Sequence, residues 1–278
     1  MMFSESLHTY RYALAFALVL VSGLYGSVVA GMVTDWYSDD NYSHGFLVPL
    51  IAGYFVRERW DDLKAASVAP SNSGLAIIGC ALLLLVIASL GTEYFVARSS
   101  LVVLIAGMIL YFFGTEVFKI TRLPIFYLLF MVPLPYIVYN TIALPLKMFV
   151  SWFSVSFLKA IGLVVLRDGT IIMFPNITLE VADACSGIRS LVSILALSTA
   201  YAFVLQISQV KRWIIIVSSI IIALATNALR VIVTGILANY HGAAAAQGFF
   251  HEFAGMAVFV LAMLILVSLG QILRVKTL

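Results

Sequence analysis

The stretch Ala13–Val33, ALAFALVLVSGLYGSVVAGMV, carries no charged side chain and decides the class of fold. A helix needs roughly 20 apolar residues to cross the hydrocarbon core of a bilayer, and this run supplies them. Comparable runs recur as far as Gly255–Leu269, and 63% of all residues are hydrophobic while only 10% are charged. A soluble domain of 278 residues needs more charge to cover its surface. We therefore expect residues 1–278 to form one polytopic membrane domain with an uncleaved first span.

The predicted fold is an all-α integral membrane protein of about eight transmembrane helices, with an interfacial helix and a small outer β-hairpin. The interfacial helix is predicted over Thr141–Leu166, an apolar segment that Lys147 and Lys159 interrupt. A ninth span over this segment is the alternative. The eight spans are predicted near Tyr12–Val33, His44–Val56, Gly74–Leu90, Val96–Gly114, Leu123–Tyr139, Ser186–Gln206, Trp213–Leu237 and Glu252–Leu273.

The distribution of basic residues favours eight spans over nine. If the N-terminus is cytoplasmic, ten of the sixteen Lys and Arg residues fall at inner span ends, as the positive-inside rule requires. A ninth span would move either the early or the late basic clusters to the outer side. The early outer loops hold Asp35, Asp39, Asp40 and Glu93 against Arg98. The ten inner residues are Arg11, Arg57, Arg59, Lys64, Lys119, Arg122, Lys211, Arg212, Arg274 and Lys276.

The pattern between Leu166 and Cys185 changes from helical to extended. Turn residues at Arg167–Thr170 precede the apolar Ile171–Phe174, and a second turn precedes Ile177–Val181, where apolar and polar residues alternate. This arrangement predicts a β-hairpin on the outer surface, leading directly into the cysteine.

Three chemically active residues are predicted to share one depth at the outer face. Cys185 lies at the start of the sixth span, Arg230 lies 17 residues into the seventh, and His251 opens the eighth. A cysteine at a helix N-terminus has its thiolate stabilised by backbone N–H groups and the helix dipole. A histidine can take the thiol proton and later protonate a leaving amine. An arginine stays protonated and can stabilise a thiolate or a tetrahedral oxyanion.

Each of these residues also has a structural alternative. Arg230 near the interface can simply snorkel to water, and a histidine at a span end is often an ordinary interface residue. A cysteine can pack as a small hydrophobe, as we expect for Cys80, whose apolar run argues against a disulfide with Cys185. A polar stripe at helical spacing supports function for the arginine, because it predicts an interior-facing surface. The stripe consists of Thr226, Asn227, Arg230 and Thr234.

Further polar residues are candidates for substrate binding. Ser186 precedes a glycine and can let a substrate approach the backbone, while Arg189, four residues after the cysteine, can share the arginine's role. His44 is either a second base or a helix cap, His241 is an alternative base, and Glu252 is expected to cap its helix. The substrate-binding candidates are Glu180, Asp183, Ser186, Arg189, Asn227 and His44.

The sequence predicts no cofactor and no metal. No His–carboxylate cluster has the spacing of metal ligands, and no phosphate-binding loop, GxSxG or HExxH motif is present. A net charge of +3 is too small to indicate nucleic acid as a partner.

Four segments resemble the exosortase/archaeosortase family. Leu179–Leu191, LEVADACSGIRSL, resembles its signature, and Asn227–Val231, NALRV, resembles its arginine motif. His251–Gly255, HEFAG, resembles its histidine motif, and Tyr42–Leu50, YSHGFLVPL, is similar to the second-span segment of bacterial exosortases. The segments occur in order over most of the chain.

The resemblance implies a protease or transpeptidase in the bacterial inner membrane with its active site at the outer face. Its protein substrates would carry a C-terminal tail made of a Pro-Glu-Pro-like motif, a transmembrane helix and a basic cluster. Cys185 would be the nucleophile, His251 the acid and base, and Arg230 the thiolate or oxyanion stabiliser. Membrane lipids would be further partners, and an exopolysaccharide or a lipid would be an acceptor.

Three other functions stay open. A transporter would use Arg230 and Asn227 to bind an anionic solute, although no inverted repeat is visible. A non-catalytic assembly factor for surface polysaccharide would not need the Cys185 sulfur. A plain protease would use water as the acceptor, and it shares the acyl-enzyme with a transpeptidase.

Overall fold

The computed structural model describes residues 3–180, 188–205, 208–242 and 249–275, which are mostly helical. The chain divides into two compact units, Met1–Pro135 and Tyr136–Leu278. The first unit contains α1 (Phe3–Thr9), α2 (Arg11–Ser38), the 3-10 helix η1 (Asp40–Phe46), α3 (Leu47–Glu58), α4 (Trp60–Ala65), α5 (Ser73–Leu90), α6 (Tyr94–Phe113), α7 (Thr115–Tyr127) and the 3-10 helix η2 (Leu128–Met131). The second contains α8 (Tyr136–Ala160), β1 (Leu166–Asp168), β2 (Ile171–Met173), β3 (Thr178–Glu180), α9 (Ile188–Leu205), α10 (Gln209–His241) and α11 (Phe249–Val275).

Seven of the described helices are long and apolar enough to cross a membrane, namely α2, α5, α6, α8, α9, α10 and α11. Two predicted spans are not among them. The predicted span His44–Val56 begins in η1 and continues through α3 with helical dihedral angles at Phe46 and Leu47. At 2.0 and 1.5 Å per residue, the combined helix extends roughly 32 Å, which suffices to cross a hydrocarbon core of about 30 Å.

The predicted span Leu123–Tyr139 is wrong as a continuous helix. The helical run of α7 and η2 ends at Met131, and Val132 is extended with φ −85° and ψ 117°. The cause is Pro133, because a proline ring pushes the preceding residue out of the helical region. The next helix begins only at Tyr136, directly after Pro135.

Side chains from α2 and η1 satisfy the carbonyl groups at this break. In a continuous helix the Met131 carbonyl would accept from residue 135, but Pro135 has no N–H. The Trp36 indole N–H donates to the Met131 oxygen instead, at 2.8 Å. His44 Nε2 donates to the Phe130 oxygen at 3.1 Å, and the Tyr42 hydroxyl donates to Leu134 at 3.3 Å. Such partners are required because an unsatisfied carbonyl in a bilayer is costly.

Gly45 is needed where η1 crosses the Trp36 indole. A Cβ at Gly45 would lie 2.3 Å from Trp36 Nε1 and 2.5 Å from Cδ1, distances that no real side chain reaches. A salt bridge joins α2 to α6, in which the buried Arg98 contacts Asp35 at 2.7 Å. Cys80, by contrast, is exposed on α5, so the expectation that it packs among helices is wrong.

In the second unit, α9 and α10 pack antiparallel in a constant register. Ser198 Oγ donates to Ser219 Oγ at 3.0 Å. Ile194, which precedes Ser198 by four residues in α9, clusters with Ala223, which follows Ser219 by four residues in α10. The helix α11 joins the same layer, since Ala262 belongs to that cluster. Continuing the register by six more residues places Ile188, the first residue of α9, level with position 229.

The three strands form an antiparallel sheet in the order β1-β2-β3. The predicted hairpin is confirmed as β2 and β3, and the turn between them closes through Phe174 N–H donating to the Ile177 carbonyl at 2.8 Å. The predicted turn Arg167–Thr170 is shorter than expected, because residues 167 and 168 belong to β1. Gly169, with φ +57°, supplies the left-handed conformation that a two-residue hairpin loop needs.

Helix α8 packs against α9 and α10. Tyr139 packs against Ile188 of α9, and the Ser154 hydroxyl donates to the Ala228 carbonyl of α10 at 3.4 Å. The helix begins at Tyr136 and ends at Ala160, which corrects the predicted bounds Thr141–Leu166. Because α8 is long and apolar enough to cross a membrane, its interfacial placement and the alternative of a ninth span both stay predictions. The exposed aromatic side chains of α8 are Tyr136, Phe149, Trp152, Phe153 and Phe157.

Candidate functional site

Arg230 lies in the C-terminal half of α10 and is almost fully buried, with 9% of its surface exposed. Thr226 and Asn227 are buried beside it, and Thr234 is half-buried. The predicted interior-facing stripe is therefore confirmed. The Thr226 hydroxyl donates to the Ile222 carbonyl of its own helix at 2.8 Å, which gives this residue a structural role. The other three members of the stripe are Asn227, Arg230 and Thr234.

The guanidinium of Arg230 lies directly on the backbone of α11 at Gly255. A Cβ built on Gly255 would be 3.1 Å from Arg230 Nη2, 3.2 Å from Cζ and 3.5 Å from Nη1. Because glycine has no Cβ, the planar guanidinium can approach the helix more closely than any other residue at 255 would allow. The sequence prediction missed this role of Gly255, although the residue belongs to the histidine motif His251–Gly255.

The position of His251 in α11 follows from this contact. His251 precedes Gly255 by four residues in the same helix, so its backbone lies on the same face one turn away, roughly 6 Å along the axis. Its ring and the Glu252 side chain lie outside the described residues. The backbone geometry thus brings the arginine motif and the histidine motif together at Gly255, and a meeting of the Arg230 and His251 side chains stays a prediction.

The first turn of α9 is level with Arg230. The register set by Ser198 and Ser219 aligns Ile188 with position 229, one residue before the arginine. Cys185 precedes Ile188 by three residues in the sequence and lies outside the described residues, as do Asp183 and Ser186. Their predicted roles as nucleophile and substrate contacts stay predictions.

Two other predicted substrate contacts are described and exposed. Glu180 is the last residue of β3, and Arg189 lies in the first turn of α9. Ile188, next to Arg189, is instead buried against Tyr139 and Ala143 of α8. Arg189 therefore faces away from this packing contact, whereas Arg230 is enclosed. Both exposed groups are accessible to a substrate.

The remaining histidine candidates have different surroundings. His44, in the first unit, is half-buried and engaged with the Phe130 carbonyl. This contact agrees with the structural alternative, and a role in substrate binding stays a prediction. His241 is the last residue of α10 and is exposed, followed by Gly242 with φ +77°.

The arrangement is suited to stabilising an anion beside the N-terminus of a helix. A guanidinium carries up to five N–H donors and does not lose its proton in proteins. Enclosure strengthens its interaction with a developing negative charge, because less water competes for the donors. The N-terminal end of a helix dipole adds a partial positive charge of the same sign.

Comparison with known proteins identifies a family. A family model for transmembrane exosortase matches residues 36–268, which include η1 and every helix from α3 to α10. No curated protein and no solved structure matches the chain. The matched region covers most of the sequence and contains both the arginine and the histidine motifs. The chain therefore belongs to the transmembrane exosortase family.

Proposed function

We propose that this protein is a cysteine protease or transpeptidase that cleaves C-terminal sorting tails of exported proteins at the outer face of the bacterial inner membrane. Its substrates would carry a Pro-Glu-Pro-like motif, a transmembrane helix and a basic cluster. Family membership supports the proposal, and the resemblance of the three motifs supports the chemistry.

The observation that carries the proposal is the buried Arg230 guanidinium against Gly255, one helical turn from His251. A buried arginine in a membrane helix is costly and is by default a hypothesis of function. In an acyl transfer the tetrahedral intermediate bears a negative oxygen, for which a guanidinium is a strong donor. Cys185 would approach from the N-terminal end of α9, which is level with this group.

The proposed reaction has two acyl-transfer steps. The Cys185 thiolate attacks the scissile carbonyl carbon, forming a C–S bond and moving the carbonyl electron pair onto oxygen beside Arg230. Collapse of the intermediate breaks the C–N bond, and protonated His251 gives its proton to the leaving amine. Neutral His251 then takes a proton from water or another acceptor nucleophile as it attacks the thioester. This second attack breaks the C–S bond and restores the thiolate.

Processing of a tagged protein with such a tail, co-expressed with the enzyme and followed by gel shift, tests the proposal. Cys185→Ala, Arg230→Ala and His251→Ala are each expected to accumulate full-length substrate while remaining inserted. Cys80→Ala is the matched control, because this exposed cysteine lies on α5 of the other unit. Mass spectrometry of the product then distinguishes a hydrolysed C-terminus from one joined to an acceptor.

Normal processing by Cys185→Ala would overturn the nucleophile assignment and favour a transporter or an assembly factor. Loss of processing in His241→Ala with retention in His251→Ala would move the acid–base role to the exposed histidine at the end of α10.

A further inference from the structure

We infer that the first unit contains a binding site for an anionic phospholipid, with one acyl chain in an apolar cavity that opens to the surface. The cavity lies between α1, α3, α6 and α7 and has a volume of about 390 Å³. Pockets that hold organic ligands range over roughly 300–1,000 Å³, so this cavity is large enough for a ligand. It is separate from the residues proposed for catalysis, and the inference does not depend on the proposed function.

The walls of the cavity indicate a hydrocarbon ligand. Almost all lining side chains are apolar, and they include Phe3, Val56, Ile109 and Ile125. Thr121 is a polar exception, but its hydroxyl donates to the Val117 carbonyl of its own helix at 2.8 Å. A polar ligand would lose hydrogen bonds to water on entering and find few in return.

The shape of the cavity indicates a single chain. Its lining runs from Ile105 to Phe113 on α6 and from Val117 to Leu128 on α7, which corresponds to roughly 12 and 16 Å. The cavity is elongated and apolar, and it therefore suits an acyl chain.

Two exposed arginines lie beside the lining of the cavity. Val56 and Thr121 line it, and each is followed directly in the sequence by an exposed arginine, Arg57 and Arg122. The C-terminal end of α3 contacts α7 at this level, because Arg59 Nη1 donates to the Ile120 carbonyl at 3.0 Å. An anionic headgroup at this level would meet both arginines.

Neighbouring lysines already have carboxylate partners. Lys64 contacts Asp61 at 3.2 Å, and Lys119 contacts Glu116 at 2.8 Å. Arg57 and Arg122 are thus the cations that we assign to the phosphate. Both belong to the basic clusters that the positive-inside rule assigns to the cytoplasm, so the lipid would come from the inner leaflet.

Gly53 allows the cavity to be filled without disturbing the fold. It lines the cavity, and a Cβ built on it has no heavy atom within 4 Å. Gly79 on α5 has the same open surroundings but does not line the cavity. Gly53→Leu and Gly79→Leu therefore form a matched pair, and both should unfold at or above the wild-type temperature because leucine favours helix.

Native mass spectrometry of the delipidated full-length protein, titrated with dioleoyl phosphatidylglycerol or dioleoyl phosphatidylethanolamine, tests the inference. We expect wild type and Gly79→Leu to bind the anionic lipid about tenfold more tightly than the zwitterionic lipid. Gly53→Leu should lose at least about tenfold of the affinity for the anionic lipid, since its side chain occupies the acyl-chain site.

The double variant Arg57→Gln/Arg122→Gln tests the headgroup separately. It should bind the two lipids with about equal affinity while keeping an open cavity. Unchanged binding by Gly53→Leu would overturn the cavity assignment, and equal binding of both lipids by wild type would overturn the anionic headgroup.

Discussion

Replacing Gly255 with alanine tests whether the position of the Arg230 guanidinium governs the reaction. The added methyl group would lie 3.1 Å from Nη2 and 3.2 Å from Cζ. Non-bonded heavy atoms are most stable at roughly 3.5–4.0 Å, so the guanidinium must retreat by roughly 0.3–0.8 Å. The charge stays in the site, and only its position changes.

This displacement should reduce the rate without reducing stability. A misplacement of about 1 Å can cost about 100-fold in rate, so a displacement of roughly 0.3–0.8 Å in Gly255→Ala should lower kcat about 4- to 40-fold. Gly255→Leu displaces the group further and should approach Arg230→Ala, for which the loss of an oxyanion donor predicts about 10²- to 10³-fold. Alanine gains about 1 kcal/mol of helix propensity over glycine, which offsets much of the steric cost.

Single-turnover processing of a tail-bearing substrate in proteoliposomes, measured beside thermal unfolding, separates these effects. Gly79→Ala is the control, because a Cβ there has no neighbour within 4 Å. It should process at the wild-type rate. If Gly255→Ala also processed at the wild-type rate while Arg230→Ala were inactive, the backbone contact would not position the guanidinium, and the reasoning would be refuted.

Three further predictions concern the fold. Trp36→Phe removes the donor to the Met131 carbonyl and should lower the free energy of unfolding by about 1–3 kcal/mol; an unchanged melting temperature in detergent would contradict this. Gly45→Ala forces a Cβ into the Trp36 indole and should cost about 1–3 kcal/mol in the same assay, whereas Gly79→Ala should not destabilise. Asp168→Cys, in a Cys80→Ala/Cys185→Ala background, should react with a membrane-impermeant maleimide from outside intact cells; labelling only after permeabilisation would place β1 in the cytoplasm and make α8 a span.

The long apolar helices could be predicted from sequence because a bilayer requires both length and apolarity of any helix that crosses it. Helices α2, α5 and α6 overlap the spans predicted from these two properties. The break after Met131 was not predicted because a proline in the sequence does not by itself show whether a membrane helix continues or ends. Prolines are tolerated in membrane helices when other groups satisfy the freed carbonyls. Here the donor is Trp36, 95 residues away in the sequence.

The candidate site was predictable to a similar degree. The spacing of Thr226, Asn227 and Arg230 defines one helix face, so their shared burial followed from helical geometry alone. The role of Gly255 did not follow, because a glycine in a membrane helix has many uses. Only the contact between α10 and α11 identifies it as the surface on which the guanidinium lies.

The pairing of Arg230 with Gly255 is hard to explain by packing alone. Elsewhere α10 and α11 meet through apolar residues, as at Ala223 and Ala262 and at Ile215 and Leu266. An apolar residue at position 230 would pack there without the cost of burying an arginine in a membrane helix. The chain instead sets a large cation against a residue with no side chain, level with the start of α9. Such an arrangement is expected where a positive charge must meet an anion that forms only during the reaction, because that interaction lowers the barrier without tightening substrate binding.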